Sequence, residues 1–262
     1  MKKQTLKFVA AVGVAVAVLF PSMAMSEITD GLVAYFPLDG DFNDVVGGHN
    51  GTFMGSDTAP NFSAGKFGDG IDLDGIDQFV EVADPDAFNF VGSDFSVAAW
   101  TRVDGFTKSW QALLANGEGN RWRFHRRGGE SIITGNGGNA DVPAYDPAAL
   151  GLNALDDGEL HHVALVSRNG DSVNLWVDGV NVSTGPAPTV EFTGMPVMIG
   201  ENPDARNRTW DGLIDDVGLW NRALTDNEIG ALQTQAIPEP SSAVLAILGM
   251  LSVMGIGRRF RR

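Results

Sequence analysis

Phe95-Ser96-Val97-Ala98-Ala99-Trp100-Thr101-Arg102-Val103 is the stretch that decides the fold. Read at the two-residue period of a strand, it puts Phe95, Val97 and Ala99 on one face and Ala98 and Trp100 on the other. Working outward, short apolar or alternating runs recur at 32–38, 78–82, 111–115, 121–126, 131–134, 160–167, 172–177, 177–182, 196–199 and 213–220. Gly, Asp and Asn separate them, and helical periodicity is almost absent. Asn169-Gly170 and Asp178-Gly179 are hairpin turn pairs. Many strands with turns about every 8–12 residues predict an all-β fold, a two-sheet antiparallel jelly-roll sandwich. One short C-terminal helix closes it. Thr225 is its N-cap and Glu228 completes a capping box, with Ile229 and Leu232 facing the core.

The ends of the chain read as export signals. Lys2, Lys3 and Lys7 precede an apolar run from Phe8 to Phe20, and Ser22 and Ala24 supply the small residues of a cleavage site. Residues 1–24 are therefore expected to be a signal peptide handled by the Sec machinery. At the other end, Pro238-Glu239-Pro240 leads into an apolar stretch and the cluster Arg258, Arg259, Arg261 and Arg262. The 17 residues from Ser241 to Gly257 would span about 25 Å as a helix, the short end of what crosses a bilayer. The arginines would stay cytoplasmic. A plain membrane anchor is the alternative to a processed tail.

Between the signals, residues 27–236 form one domain of about 210 residues. It holds 32 Asp plus Glu against 11 Lys plus Arg, a net charge of 11 − 32 = −21. That charge repels nucleic acid and anionic lipid, so no nucleic-acid partner is expected. There is no Cys, so stability must come from the core, with a metal as a conceivable aid.

The order of motifs resembles a known family. Gly31-Leu32-Val33-Ala34-Tyr35-Phe36-Pro37-Leu38-Asp39 opens it, and Gly65-Lys66-Phe67-Gly68 and Phe79-Val80-Glu81-Val82 follow. Asn174-Leu175-Trp176-Val177-Asp178-Gly179 comes next, and Gly212-Leu213-Ile214-Asp215-Asp216-Val217 ends the series. Together they resemble the LamG-like jelly roll of the concanavalin A-like lectin/glucanase superfamily. The resemblance implies two packed antiparallel sheets, often a calcium ion at the rim, and frequent carbohydrate or protein binding. The last residues, 237–262, resemble the PEP-CTERM sorting signal of Gram-negative bacteria that make extracellular polysaccharide. That resemblance implies cutting by an exosortase near Pro238, Glu239 and Pro240, after transient membrane insertion, and a mature protein at the cell surface or outside the cell.

Candidate chemistry is sparse. Asp39, Asp41, Asn43 and Asp44 follow the first strand, and Asp215 and Asp216 lie on the last. Calcium takes six to eight hard oxygens, so Asp39, Asp44, Asp215 and Asp216 are the candidate metal ligands. Side-chain alternation lets only one of Asp215 and Asp216 face a given side. The competing reading makes Asp44 and Asp215 turn caps. Residues 69–77 invite a second calcium reading but suit an Asp- and Gly-rich strand edge better. Arg121-Trp122-Arg123-Phe124-His125-Arg126-Arg127 is a basic cluster in an acidic domain. It is either a patch for uronic or sulfated polysaccharide or a set of internally paired arginines. Trp110, Trp122 and Trp210 are the indoles that could stack on a sugar, so Arg121, Trp122, Arg123 and Trp210 form the candidate ligand site. No His pair has zinc spacing, and no Gly-x-Ser-x-Gly elbow occurs. The Glu-x-Asp-x-x-Glu strand of one glycoside hydrolase branch is also missing. The expectation is a non-enzymatic surface or matrix protein that binds carbohydrate or another surface protein. A ligand-free structural component, and then a glycoside hydrolase-like enzyme, stand behind it.

Overall fold

The computed structural model describes residues 28–238 apart from 57–58, 139, 187–188 and 193. The signal segment with Ala24, and the tail from Glu239 and Pro240 onward, lie outside the described residues. Among the described residues no helix is long and apolar enough to cross a membrane.

Two antiparallel sheets pack face to face. The larger contains β1 (Leu32–Phe36), β3 (Asn61–Ala64), β4 (Asp69–Asp74), β6 (Phe95–Val103), β10 (His161–Arg168), β11 (Ser172–Val177), β12 (Val180–Pro186) and β14 (Asp211–Trp220). Its order is β12-β11-β10-β6-β14-β4-β3, with β1 also paired to β14. The smaller runs β2-β5-β13-β7-β8-β9. Those strands are β2 (Thr52–Met54), β5 (Phe79–Val82), β7 (Ala112–Ala115), β8 (Trp122–Arg126), β9 (Ile133–Gly137) and β13 (Val197–Ile199). Phe95, Val97 and Ala99 of β6 face the inter-sheet core, which also holds Phe36, Ile71, Val80, Leu114, Phe124 and Leu165. The turn at 178–179 has positive φ at both Asp178 and Gly179, as its residues led us to expect.

A second apolar cluster covers the outer face of the large sheet. Ala98, Ala164, Trp176, Trp220 and Tyr35 meet Ile28, Leu224 and Ile237 there. Helix α1 (Asp226–Leu232) supplies Ile229 and Leu232 to it. The capping box is present: Thr225 Oγ1 accepts from the Glu228 N–H at 3.3 Å, and the Glu228 carboxylate accepts from the Thr225 N–H at 2.8 Å. Trp220 also fastens the N-terminal end, its Nε1 donating to the Ile28 carbonyl at 2.7 Å.

Two strands escape the sequence pattern, and two more, β4 and β9, are only partly legible in it. β2 and β3 are short and half exposed, with little apolar alternation to reveal them. β4 carries three aspartates in six residues. β9 runs through Gly135-Asn136-Gly137, which looks like a turn. A Cβ at Gly135 would lie 2.6 Å from Leu165 Cδ1, so glycine here allows the sheets to approach.

The two clusters make a direct prediction. Trp220 is fully buried. Trp220→Ala should lower unfolding stability by about 3–5 kcal/mol. Trp220→Phe, keeping the apolar body but losing the donor, should cost less. Urea denaturation of both variants checks the order.

Candidate functional site

Two places concentrate polar side chains. The first is the outer surface of the small sheet. Alternation on β8 sends Trp122 and Phe124 into the core and leaves Arg123 and His125 outside. Arg123 donates from Nε to His125 Nε2 at 3.0 Å and from Nη2 to Asp141 Oδ1 at 2.9 Å. Its Nη1 lies 3.7 Å from Glu118 Oε2. Glu118 Oε1 accepts from Arg208 Nη1 at 2.5 Å and from Asn202 Nδ2 at 2.7 Å. Arg121 pairs with Asp204. Buried Glu201 holds the adjoining loop by accepting from the backbone N–H groups of Asn202, Asn207 and Arg208. Arg126 plays a different part. Its guanidinium donates to the carbonyls of Phe106, Lys108, Gly129 and Glu130 and ties two loops together.

Of the two readings of the basic run, the guanidiniums of Arg121 and Arg123 follow internal pairing, with Asp204 and Asp141. Trp122 and Trp210 require a correction. Trp122 packs within 5.9 Å of Phe95, and Trp210 lies edge-on to Phe106 at 6.2 Å. They are 1% and 0% exposed, so neither presents a ring face to a sugar. The exposed indole is Trp110. Glu118, Asp141, Asn202 and Arg208 come from loops, and no spacing in the sequence links them to β8.

The second place is a junction on the outer face of the large sheet. β14 serves two strands along one edge: 211–214 pair with β4, and 217–220 pair with β1. Asp215 and Asp216 fall at the changeover. The register against β6 shifts between Asp215 and Gly218, and Asp216 has φ 51°. This bulge overrides alternation, so both carboxylates emerge on the outer face, correcting the expectation that only one could. Asp215 Oδ2 accepts from the Lys66 N–H at 2.6 Å. Gly65 permits that approach, since a Cβ there would meet Asp215 Oδ2 at 2.3 Å. Asp216 Oδ1 accepts from the Tyr35 hydroxyl. Asp39 stands nearby and accepts from the Asp69 N–H at 2.6 Å. Asp215 Oδ1 and Asp216 Oδ2 are buried without a hydrogen-bond partner.

Burial, with repulsion from Asp39, pushes the Asp215 carboxyl up to about 6. Burial and the neighbouring Asp215 push Asp216 up to about 7. Asp44 does not join them. Its oxygens accept from the N–H groups of Tyr35, Val46, Gly47 and His49 at 2.9–3.0 Å, so it caps the turn after β1. Residues 69–77 form β4 and its following turn. Among the described residues, no three His, Asp or Glu side chains converge as an ion site. The donor chemistry at Asp39 and Asp215 still fits a hard cation in one respect: a buried carboxylate oxygen there lacks any partner.

The raised carboxyls set a pH dependence. They bind protons more tightly folded than unfolded, so their stabilising effect is complete below about pH 4 and is lost as pH rises through about 7. His161, raised by its hydrogen bond to Asp178, acts in the same sense. His162, lowered by burial to about 4, acts oppositely as pH falls below its ordinary value. Asp216→Asn isolates one contribution. In chelator, the variant should gain on the parent by roughly 2–4 kcal/mol between about pH 5 and about pH 8. Denaturation at both pH values measures the gap.

Comparison with known proteins follows the same lines. Residues 74–230, more than half the chain, match a laminin-G family model described as the concanavalin A-like lectin/glucanases superfamily. No curated protein sequence matches the chain. Among solved structures, domain 4 of AbnA, a GH43 extracellular arabinanase from Geobacillus stearothermophilus, solved with arabinotriose, has a TM-score of 0.62 at 21% identity. The match covers 78% of this chain and 98% of that one. The binding domain of Paraclostridial Mosquitocidal Protein 1 matches with a TM-score of 0.63 at 16% identity, over 79% of this chain and 52% of the other. A botulinum neurotoxin type C structure, from work on cell entry dependent upon interaction with two ganglioside molecules, matches with a TM-score of 0.57 at 14% identity. It is covered over 80% of this chain and 52% of its own. The chain thus spans about half the length of these toxin structures, and identities this low show the fold alone. By its sequence match and its two sheets together, the chain belongs to the concanavalin A-like lectin/glucanase superfamily.

Proposed function

We propose that this is an exported, non-enzymatic carbohydrate-binding protein of the cell surface or extracellular matrix. The observation that carries the reading is the polar fan outside the small sheet. Arg121, Arg123, Glu118, Asp141, Asn202 and Arg208 are planar hydrogen-bonding groups fixed by one another. Arg121, Arg208 and Glu118 side chains remain 20%, 25% and 29% exposed. Sugar hydroxyls both donate and accept, and groups held in place beforehand lose little entropy on meeting them. The similar structures support the reading through what their own descriptions say they bind, arabinotriose and gangliosides.

The absence of catalysis is argued from the carboxylates. Glycoside hydrolysis needs two free to act as acid and as nucleophile or base. On this face Glu118, Asp141 and Asp204 are engaged by arginines, and Glu201 by backbone N–H groups. Calcium belongs to the proposal at the other site. Asp39 and Asp215, with Asp216 beside them, would hold it. Backbone carbonyls and water would supply its remaining oxygens. The ion would neutralise the acid pair and fasten the β3–β4 turn to β14. Export rests on the N-terminal segment ending at Ala24. Release outward rests on the tail with Pro238, Glu239 and Pro240, through an exosortase.

Protein recovered from the culture medium or cell surface tests these parts together. Its intact mass should lack residues 1–24 and the apolar segment after Ala243. On a glycan array it should bind at least one carbohydrate, and Arg123→Ala should reduce that binding several-fold. An array without signal, with the protein folded, would favour a structural matrix component. Retention of Arg262 in membrane fractions would favour a plain anchor.

A further inference from the structure

We infer that Trp110 is the stacking platform of the carbohydrate site and that the glycan it takes is neutral. This rests on the carbohydrate reading above and adds the recognition element and the ligand class.

Trp110 is unlike the other indoles. It is 37% exposed, whereas Trp100, Trp122, Trp176, Trp210 and Trp220 are all at 8% or below. Its φ is 63°, in the left-handed region that bulky residues rarely adopt. The conformation is held from outside. The Trp110 N–H donates to the Gly128 carbonyl at 2.9 Å. Gly128, itself at φ 54°, passes against the ring, with its Cβ position 3.6 Å from the indole. Backbone strain that the surroundings hold in place under a partly exposed aromatic ring points to function. The indole also touches the polar fan, its ring lying 5.5 Å from that of buried His125. His125 in turn bonds Arg123, so the contacts run unbroken from the exposed indole to Asp141, Glu118 and Arg208. An apolar ring beside fixed donors and acceptors suits a sugar, whose C–H face and hydroxyl edge need one of each.

Charge decides the class. Arg121, Arg123, Arg206 and Arg208 each already face a carboxylate, namely Asp204, Asp141, Glu201 and Glu118. Arg126 is engaged by four backbone carbonyls and Lys108 Nζ by the Ile76 carbonyl, Asn207 and Thr209, so a sulfate or uronate would have to displace one of these partners or a paired carboxylate and leave it unpaired. It would also enter a domain of net charge −21. A neutral hydroxyl pair can bridge an arginine and its carboxylate without breaking them. This reverses the uronic or sulfated ligand that the basic run first suggests.

Calorimetry on the exported protein tests the inference, with arabinotriose and cellotetraose as neutral probes and an oligogalacturonate as the acidic one. The expected result is binding of a neutral probe and weak or no binding of the acidic one. Trp110→Ala and Trp110→Gly should each weaken the neutral probe at least about tenfold, with Trp110→Phe in between. Trp110→Gly accommodates the positive φ and guards against misfolding, which circular dichroism checks. Binding of the acidic probe alone, or undiminished binding in both small variants, overturns this inference and leaves the carbohydrate reading standing. Failure of the parent protein to bind either class removes the carbohydrate reading and this inference with it.

Discussion

β14 has to satisfy three strands, and the rest of the fold depends on how it does so. One edge pairs with β6 on either side of a register shift between Asp215 and Gly218, while the other is shared between β4 and β1. Buried backbone groups at the changeover need partners. The bulge against β6 falls at the same place as the change from β4 to β1, and it turns two adjacent carboxylates to the same side. They become buried because the loop after β1 and the β3–β4 turn must both close over the changeover. The acid pair is thus a consequence of topology. It is also costly, since burial and mutual repulsion both oppose ionisation.

The outer face of the small sheet solves a related problem differently. There each buried or half-buried charge has partners, Arg123 and His125 beside Asp141 at 8% and 1% exposure, and Arg126 among four backbone carbonyls. Matched charge makes a rigid, nearly neutral polar surface, suited to hydroxyl-rich ligands. Unmatched charge at the β14 junction makes a surface that demands a proton or a cation. The two faces of one sandwich therefore carry opposite electrostatic designs, and the proposed carbohydrate and calcium roles divide between them accordingly.

Much of this was legible in the sequence, for physical reasons. The alternation in β6, the Asp178-Gly179 turn and the Thr225–Glu228 cap act over a few residues, and local patterns report local physics. The short edge strands β2 and β3 are defined by their neighbours, so their own residues say little. Of the acidic residues that follow β1, Asp39 lies near those on β14 and Asp44 does not. A bulge depends on which strands lie alongside, so the shared orientation of Asp215 and Asp216 could not be read. Asp44, chemically identical to Asp39, differs only in having four backbone N–H groups aimed at it. The buried positions of Trp122 and Trp210 are likewise set by tertiary packing, and the partners of Arg123 arrive from distant loops.

Asp215 Oδ1 and Asp216 Oδ2 lie buried at the β14 junction without a partner, and we propose that a calcium ion satisfies them. Calcium titration calorimetry near pH 6.5, repeated in two buffers of different ionisation enthalpy, tests this most directly. Carboxyls raised to about 6 and about 7 are partly protonated there, so binding should expel protons, on the order of one per ion. The apparent heat should therefore differ between buffers, magnesium should not reproduce it, and Asp215→Asn should abolish it. Equal heats in both buffers, the same response to magnesium, or no calcium heat at all would contradict the claim.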